Sequence, residues 1–313
     1  MRIYSSGIYF WLEEYLFECK TNGQKILSFI LLPLSLLYAC VSYARRVLAK
    51  PIDYQIPVVS IGNLSLGGSG KTPFAVALAR ALPCKVCVIL RGYGRASRGL
   101  VQVSDGRQIL CGVETSGDEA MLIAQEVPSA VVLVSEDRVE AIWFAKTLGV
   151  ECVLLDDGFS KCQIKKLDIL LKPQEILNTR VLPSGCYREA SCCEKYADIV
   201  AIDGVDFTRE VQMPSLPSNP SNVLLLTSIS KPKRLDAYLP KDIKKHYLKD
   251  HQSMSAPQVN ALVDEYGAEG VLATKKDAVK LRELDLSCPL WVMDLQIRLS
   301  DKMIKQVREY IKI

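Results

Sequence analysis

The sequence predicts an α/β protein built as two α/β/α lobes and preceded by a hydrophobic amino-terminal helix. Three observations predict it. An apolar run at 56–61 breaks into a glycine-rich turn ending in Gly70-Lys71-Thr72, and apolar residues then recur at helical spacing. From there on, strand-length apolar runs alternate with helical patterns, which is the grammar of βαβ units and parallel sheets. A stretch rich in proline and serine, 206–222, has no period and divides the alternation into a larger and a smaller part.

At 313 residues the chain is long enough for two cores of ordinary size. Hydrophobic residues make up 49% and charged residues 24%, which excludes a disordered chain and leaves apolar surface to cover. A net charge of +4 suits an anionic partner, such as a membrane surface or a phosphorylated substrate, without requiring one. No basic stripe interleaved with aromatics occurs, so nucleic acid is not expected, and no obligate protein partner is evident. The eleven cysteines are an odd number. Cys84 and Cys87 have redox or zinc spacing but run into an apolar stretch with no second pair, and Cys192 and Cys193 are adjacent. All read as unpaired thiols of a reducing compartment.

Residues 1–50 form the first segment. Tyr9, Phe10, Trp11, Tyr15 and Phe17 lie among Glu13, Glu14 and Glu18, an amphipathic aromatic run. Residues 26–44 then carry no charge and are followed by Arg45, Arg46 and Lys50. As one helix this stretch reaches about 28 Å, close to the roughly 30 Å of a bilayer's hydrocarbon core. Its serines, its tyrosines and Pro33 weaken it as a span, and a cleaved signal peptide fits badly because the basic residues follow the apolar run. The expectation is membrane attachment, by one span or by a helix lying in the interface, with a buried core helix as the plain alternative. The trailing basic residues keep the rest of the chain on the cytoplasmic side.

A nucleotide-binding domain is expected over 51–205. Its first strand leads into Ser65, Leu66, Gly67, Gly68, Ser69, Gly70, Lys71 and Thr72. Strand, glycine loop and helix wrap backbone N–H groups around a polyphosphate, and the helix N-terminus adds partial positive charge. In such a loop Lys71 reaches the β- and γ-phosphates of ATP and the Thr72 hydroxyl ligates Mg²⁺. The strict motif asks for glycine where Ser65 stands. Pro73 is no obstacle, because the first helical turn needs no N–H there. Further strands are expected at 86–90, 130–134, 152–155, 167–171 and 198–202.

Four constellations accompany the loop. Asp156 and Asp157 end a buried strand, where carboxylates can coordinate the magnesium of a nucleotide; Asp-Asp-Gly is also ordinary turn chemistry. Arg91, Tyr93 and Arg95 lie on a glycine-flexible loop after a strand, suited to clamping phosphate or to a solvated turn. Asp118 precedes a helical stretch as either its cap or a base. His246 and His251 are the two histidines of the chain; a lone pair is a poor metal site, but one of them can orient a carboxylate or accept a proton. Beyond the 206–222 linker, a smaller domain over 223–313 is expected to carry strands near 223–227, 243–247, 270–274 and 290–293. Helices are expected near 256–266, 276–283 and from Ser300.

Taken in order, IPVVSIGNLSLGGSGKTPF, RGYGR, SGDEA, LLDDGF, LPSGCYRE, the Asp250-His251 pair and VLATKKDAVKL resemble the tetraacyldisaccharide 4′-kinases of lipid A synthesis over residues 55 to 295. The resemblance implies a P-loop NTPase-like first lobe with ATP and Mg²⁺ as cofactors. It implies transfer of the γ-phosphate to the 4′-hydroxyl of an acylated glucosamine disaccharide 1-phosphate at the cytoplasmic face of the inner membrane. Position by position, it puts the phosphate loop on residues 65–72 and metal ligation on Thr72, Asp156, Asp157 and, as a further polar group, Glu189. It puts the general base on Asp118, assisted by His251. The family commonly continues DDGF with Gln-His, where this chain has Ser160-Lys161, and Ala120 stands where a proline is usual. A reading from another class remains beside it: a membrane-tethered P-loop NTPase switch that acts on a protein partner.

Overall fold

The computed structural model describes residues 7–172 and 177–313 of the chain. The first six residues of the expected amino-terminal segment, and the side chain of Tyr9, lie outside the described residues. In chain order the elements are α1 (Gly7–Phe17), α2 (Asn22–Ile30), α3 (Leu32–Val47), β1 (Val58–Gly62), α4 (Lys71–Ala81), β2 (Val86–Leu90), β3 (Val101–Asp105), α5 (Val113–Ser116), α6 (Asp118–Glu126), β4 (Val131–Val134) and α7 (Arg138–Thr147). They continue with β5 (Cys152–Asp156), β6 (Leu167–Lys172), β7 (Ile199–Ile202), β8 (Phe207–Gln212), β9 (Val223–Thr227), β10 (Lys244–Tyr247), α8 (Ala256–Tyr266), β11 (Gly270–Thr274), α9 (Lys275–Leu281), β12 (Leu290–Leu299) and α10 (Asp301–Ile311).

The strands form two sheets, ordered β3-β4-β2-β5-β1-β6-β7 and β10-β9-β11-β12-β8. In the first, only the β3–β4 pairing is antiparallel. Strands covered on both faces read as continuous apolar runs, and β1, β2, β4 and β5 are buried along their whole length for that reason. Parallel order puts the carboxyl ends of β1, β2, β4 and β5 side by side, and the glycine loop, Arg91 and Asp156 all leave from that edge.

Three expectations change. The 26–44 stretch is not one helix: α2 and α3 meet at a 54° bend, and no single described helix is long and apolar enough to cross a membrane. Pro33 in the first turn of α3 is the cause, since its ring and missing N–H forbid a continuous helix through Leu31. The pair packs with its polar side inward. Ser28 Oγ donates to the Ser184 carbonyl (2.6 Å) and Ser35 Oγ to Ser184 Oγ (2.7 Å), while Ile26, Phe29, Ile30, Leu34, Leu37 and Val41 are exposed.

Second, the 206–222 linker contains a strand, β8, ahead of its prolines. Third, the chain does not stay in the smaller lobe. The first part of β12 pairs with β11 in parallel, and Asp294 to Leu299 turn to β8 in antiparallel register. Past that seam, Met303, Val307 and Ile311 of α10 bury in the first lobe's core with Phe74 and Phe207, whose rings meet edge to face. Helix α1 touches both lobes. Tyr15 Oη donates to the Pro183 carbonyl (3.0 Å), and the Glu13 carboxylate accepts from the Lys231 backbone N–H (2.8 Å).

Candidate active site

A cavity of about 1280 Å³ opens between the lobes. Residues 66–72 of the glycine loop, Arg91, Tyr93, Glu119, Asp156, Asp157 and Arg188 line it from the first lobe, and Ser230, Arg234, Asp250, His251, Lys275 and Lys276 from the second. The loop is held from behind. Leu66 N donates to the Cys186 carbonyl (2.8 Å), and Ser65 Oγ, turned away from the cavity, accepts from Asn63 Nδ2 (2.9 Å). Lys71 Nζ is parked on Asn63 Oδ1 (3.0 Å), within 3.6 Å of Asp157.

The two adjacent aspartates have opposite surroundings. Asp157 sits in the left-handed region (φ 58°) and its two oxygens accept from Arg188 at 2.7 Å each. Burial pushes its carboxyl up, but the Arg188 hydrogen bonds and the Lys71 charge outweigh burial and hold it below the usual range. Asp156 Oδ2 accepts from Thr72 Oγ1 (2.8 Å), while Oδ1 is buried without a hydrogen-bond partner among the described residues. Burial and the nearby Glu119 charge raise its pKa to about 7. An orphaned carboxylate oxygen beside a threonine hydroxyl and a phosphate-binding loop fits a hard divalent cation. No group of three or more His, Cys, Asp and Glu able to hold a metal occurs among the described residues, so such a cation would complete its shell with phosphate and water oxygens.

Glu189 is elsewhere. Its oxygens accept from Arg46 Nε (2.7 Å) and Nη2 (3.0 Å), and the Arg46 guanidinium lies 4.1 Å from the centroid of the Phe159 ring. The expected metal ligand is instead half of a buried ion pair that fastens α3 to the body, because the guanidinium satisfies both lone-pair edges. Arg95 is corrected too. It does not line the cavity, and its Nη2 donates to Glu136 and to the Gly99 carbonyl, each at 2.7 Å. Arg91 and Tyr93 do line the cavity: Arg91 Nη1 donates to Tyr93 Oη (3.1 Å), and the Tyr93 ring stacks on His251 with centroids 6.2 Å apart.

Across the cleft, Asp118 and His251 meet from opposite lobes, 133 positions apart. His251 Nδ1 lies 3.1 Å from both carboxylate oxygens of Asp118, and Lys280 Nζ is 2.9 Å from the same group. Asp118 is not a cap: Gly117 holds that position at φ 82°, where a Cβ would come within 2.9 Å of the Tyr93 carbonyl. With 2% exposure, Asp118 stands behind the histidine, and His251 is the member that lines the cavity. Because a carboxylate only accepts, Nδ1 carries a proton, which leaves Nε2 facing Lys276 Nζ at 3.5 Å. Burial pulls the His251 pKa down, but the Asp118 hydrogen bond and the Asp118 and Asp250 charges, against Lys276, leave it raised. His251 adopts φ 62°, a conformation that only surrounding structure sustains in a non-glycine residue.

Comparison with known proteins decides the family. The family model described as tetraacyldisaccharide-1-P 4′-kinase matches residues 27–312. The chain belongs to the tetraacyldisaccharide 4′-kinase family. A relative of that name from Aliarcobacter butzleri is 47% identical over 300 residues, covering 95% of each chain. One from Campylobacter jejuni is 42% identical over 304 residues (96% of each), and one from Helicobacter pylori is 40% identical over 303 (96% of this chain, 95% of the relative). Among solved structures, the "apo" form of LpxK from Aquifex aeolicus in complex with ATP superposes with a TM-score of 0.72 at 27% identity, covering 91% of this chain and 99% of that one.

Within this family member, sequence reasoning passed over several residues of the site. Arg188 stands one position before Glu189, and the sequence does not tell the two charges apart. Asn63, which ties Lys71 to Arg188, carried no signal beyond its place between strand and loop. Lys276 and Lys280 lie four apart on α9, the spacing that puts both on one helix face, and that spacing is a usable signal. Arg209 Nη2 donates to the Ser69 carbonyl (2.9 Å) from inside the supposed linker.

Proposed function

We propose that this chain transfers the γ-phosphate of ATP to the 4′-hydroxyl of a tetraacyl glucosamine disaccharide 1-phosphate, a step of lipid A biosynthesis, at the cytoplasmic face of the inner membrane. One observation carries the reading: a carboxylate–imidazole dyad assembled from both lobes faces the cavity lined by the glycine loop. A switch that only hydrolyses nucleotide has no need of a proton acceptor built for a second substrate.

Thr72 and Asp156 would hold Mg²⁺, which when bound neutralises charge on the phosphates and keeps them in line. The loop N–H groups and Lys71 would bind the β- and γ-phosphates, with Arg188 and Asp157 fixing where Lys71 rests. Arg91 and Tyr93 remain candidates for contact with phosphate or sugar. His251 Nε2 would take the proton of the acceptor hydroxyl. Asp118 holds Nδ1–H, fixes the tautomer and stabilises the imidazolium that forms. The base of the sequence reading thereby moves from Asp118 to its partner, since the carboxylate is enclosed by His251 and Lys280.

The acceptor stays in a bilayer, so the enzyme must come to it. The outward apolar side of the α2–α3 pair supports attachment by insertion into one leaflet, because its inward side is tied to residues 178–189 by hydroxyls and by Arg46. A direct test is radiolabelled ATP with the tetraacyl disaccharide 1-phosphate in detergent micelles. Label on the lipid is expected; label released only as inorganic phosphate would favour the switch.

A further inference from the structure

Among the described residues, four cationic side chains hydrogen-bond to the glycine loop or to the asparagine that precedes it. Three are already matched with carboxylates: Lys71 and Arg188 with Asp157, and Arg209 with Asp203 at 2.8 Å. The fourth, Arg234, comes from the second lobe and has no carboxylate within ion-pair distance among the described residues. Its Nη1 donates to the Gly68 carbonyl, 166 positions away in sequence. Beside it, Ser230 Oγ is buried without a partner among the described residues. That hydroxyl lies 2.8 Å from where a Cβ on Gly67 would stand and 3.0 Å from one on Gly68, both of which have positive φ. The glycines thus give room for second-lobe side chains as well as for a phosphate.

The segment that presents these groups is firmly seated. Ile229 and Leu235 bury in the second lobe's core, Lys231 takes the left-handed conformation at φ 54° that starts the turn, and Glu13 of α1 accepts its N–H. A guanidinium offers five donors, and Arg234 spends one on a neutral carbonyl. Non-bridging phosphate oxygens are stronger, bidentate acceptors. We infer that Arg234 is a triphosphate-binding residue supplied across the cleft by the second lobe, with Ser230 Oγ as its neighbouring donor. Nucleotide bound by the first lobe then holds the second lobe, and with it His251, over the transferring phosphate.

The inference rests on the kinase reading but is tested apart from it, by fluorescence titration with mant-ATP and mant-AMP in the absence of lipid. Arg234→Ala is expected to weaken mant-ATP roughly 10–100-fold, as for loss of a charge-assisted hydrogen bond, and to leave mant-AMP within about twofold. Arg234→Lys, which keeps the charge but not the two-pronged donor geometry, is expected to fall between the alanine variant and the unmodified protein. Equal losses for both nucleotides, or unchanged mant-ATP binding, would overturn the assignment and make Arg234 a brace for the loop. None of those outcomes alters whether the unmodified enzyme labels the lipid, so failure of the kinase reading is separately visible.

Discussion

The two walls of the cleft are built in different ways. The first-lobe wall is mostly local: the glycine loop, Asn63, Thr72, Asp156 and Asp157 all come from the carboxyl ends of the adjacent strands β1 and β5, joined by the Lys71–Asn63 and Thr72–Asp156 hydrogen bonds and braced by Arg188. The second-lobe wall is gathered from three separate stretches: Ser230 and Arg234, Asp250 and His251, and Lys275 and Lys276. It meets the first wall through single long-range contacts such as His251–Asp118 and Arg234–Gly68. The first wall carries the phosphate loop and the Thr72–Asp156 pair on its own strands. The second has chemistry only when docked, because its histidine takes its tautomer and its raised pKa from a carboxylate of the opposite lobe.

That contrast can be broken most severely from the first wall. Lys71→Ala should lower turnover by roughly 10³–10⁵-fold and weaken mant-ATP binding with it, since one cation serves ground and transition states alike. Steady-state kinetics beside nucleotide titration will read both.

Next is His251→Ala on the second wall. Turnover should fall about 10²–10⁴-fold while mant-ATP affinity stays within about twofold, the mark of lost proton transfer. Equal damage to binding would show that the walls are not separable.

Asp118→Asn sharpens the comparison through pH. A base must be neutral, and His251 is held above its ordinary 6.5, so turnover should rise as pH passes a midpoint above that value. The asparagine removes the Asp118 charge that raises the pKa and leaves burial and Lys276, which lower it, opposed by the Asp250 charge. The midpoint should therefore move down, with turnover cut by at least about a hundredfold. A raised folded-state pKa also means that the dyad's contribution to stability is present below pH 6.5 and is lost as pH climbs through the folded value.

The smallest effect on chemistry is expected from Arg46→Ala, which strips the first wall of a support without touching the cavity. Urea denaturation should show a loss of about 3–5 kcal/mol, because Glu189 is left as a buried, unpaired charge. A large drop in turnover of the folded fraction with little change in stability would return Glu189 to the metal site.

Most of the first wall was legible in the sequence. Strands β1, β2, β4 and β5 are buried along their whole length and so announce themselves as apolar runs, whereas β3, only partly buried at the sheet's edge, carries no such signal; the loop's chemistry demands glycines, a lysine and a threonine at neighbouring positions. The misses share a cause. Arg188 and Glu189 are adjacent, and nothing local says which of two neighbouring charges faces the cavity. Strand β8 lay hidden because an edge strand that pairs on one side needs no continuous apolar run, and its pattern is mixed: buried Phe207 is followed by residues that are exposed or only partly buried.

By itself the sequence determined the α/β alternation, the phosphate loop and the break at Pro33's neighbourhood as a place where an apolar helix is weak. Those features arise from interactions among residues a few positions apart. Only the tertiary structure decided that Asp156 keeps a free oxygen while Asp157 does not, that His251 rather than Asp118 faces the cavity, and that Arg234 reaches the loop. These are choices of partner between groups up to 166 positions apart, and burial and charge pairing settle them only once the two lobes are docked.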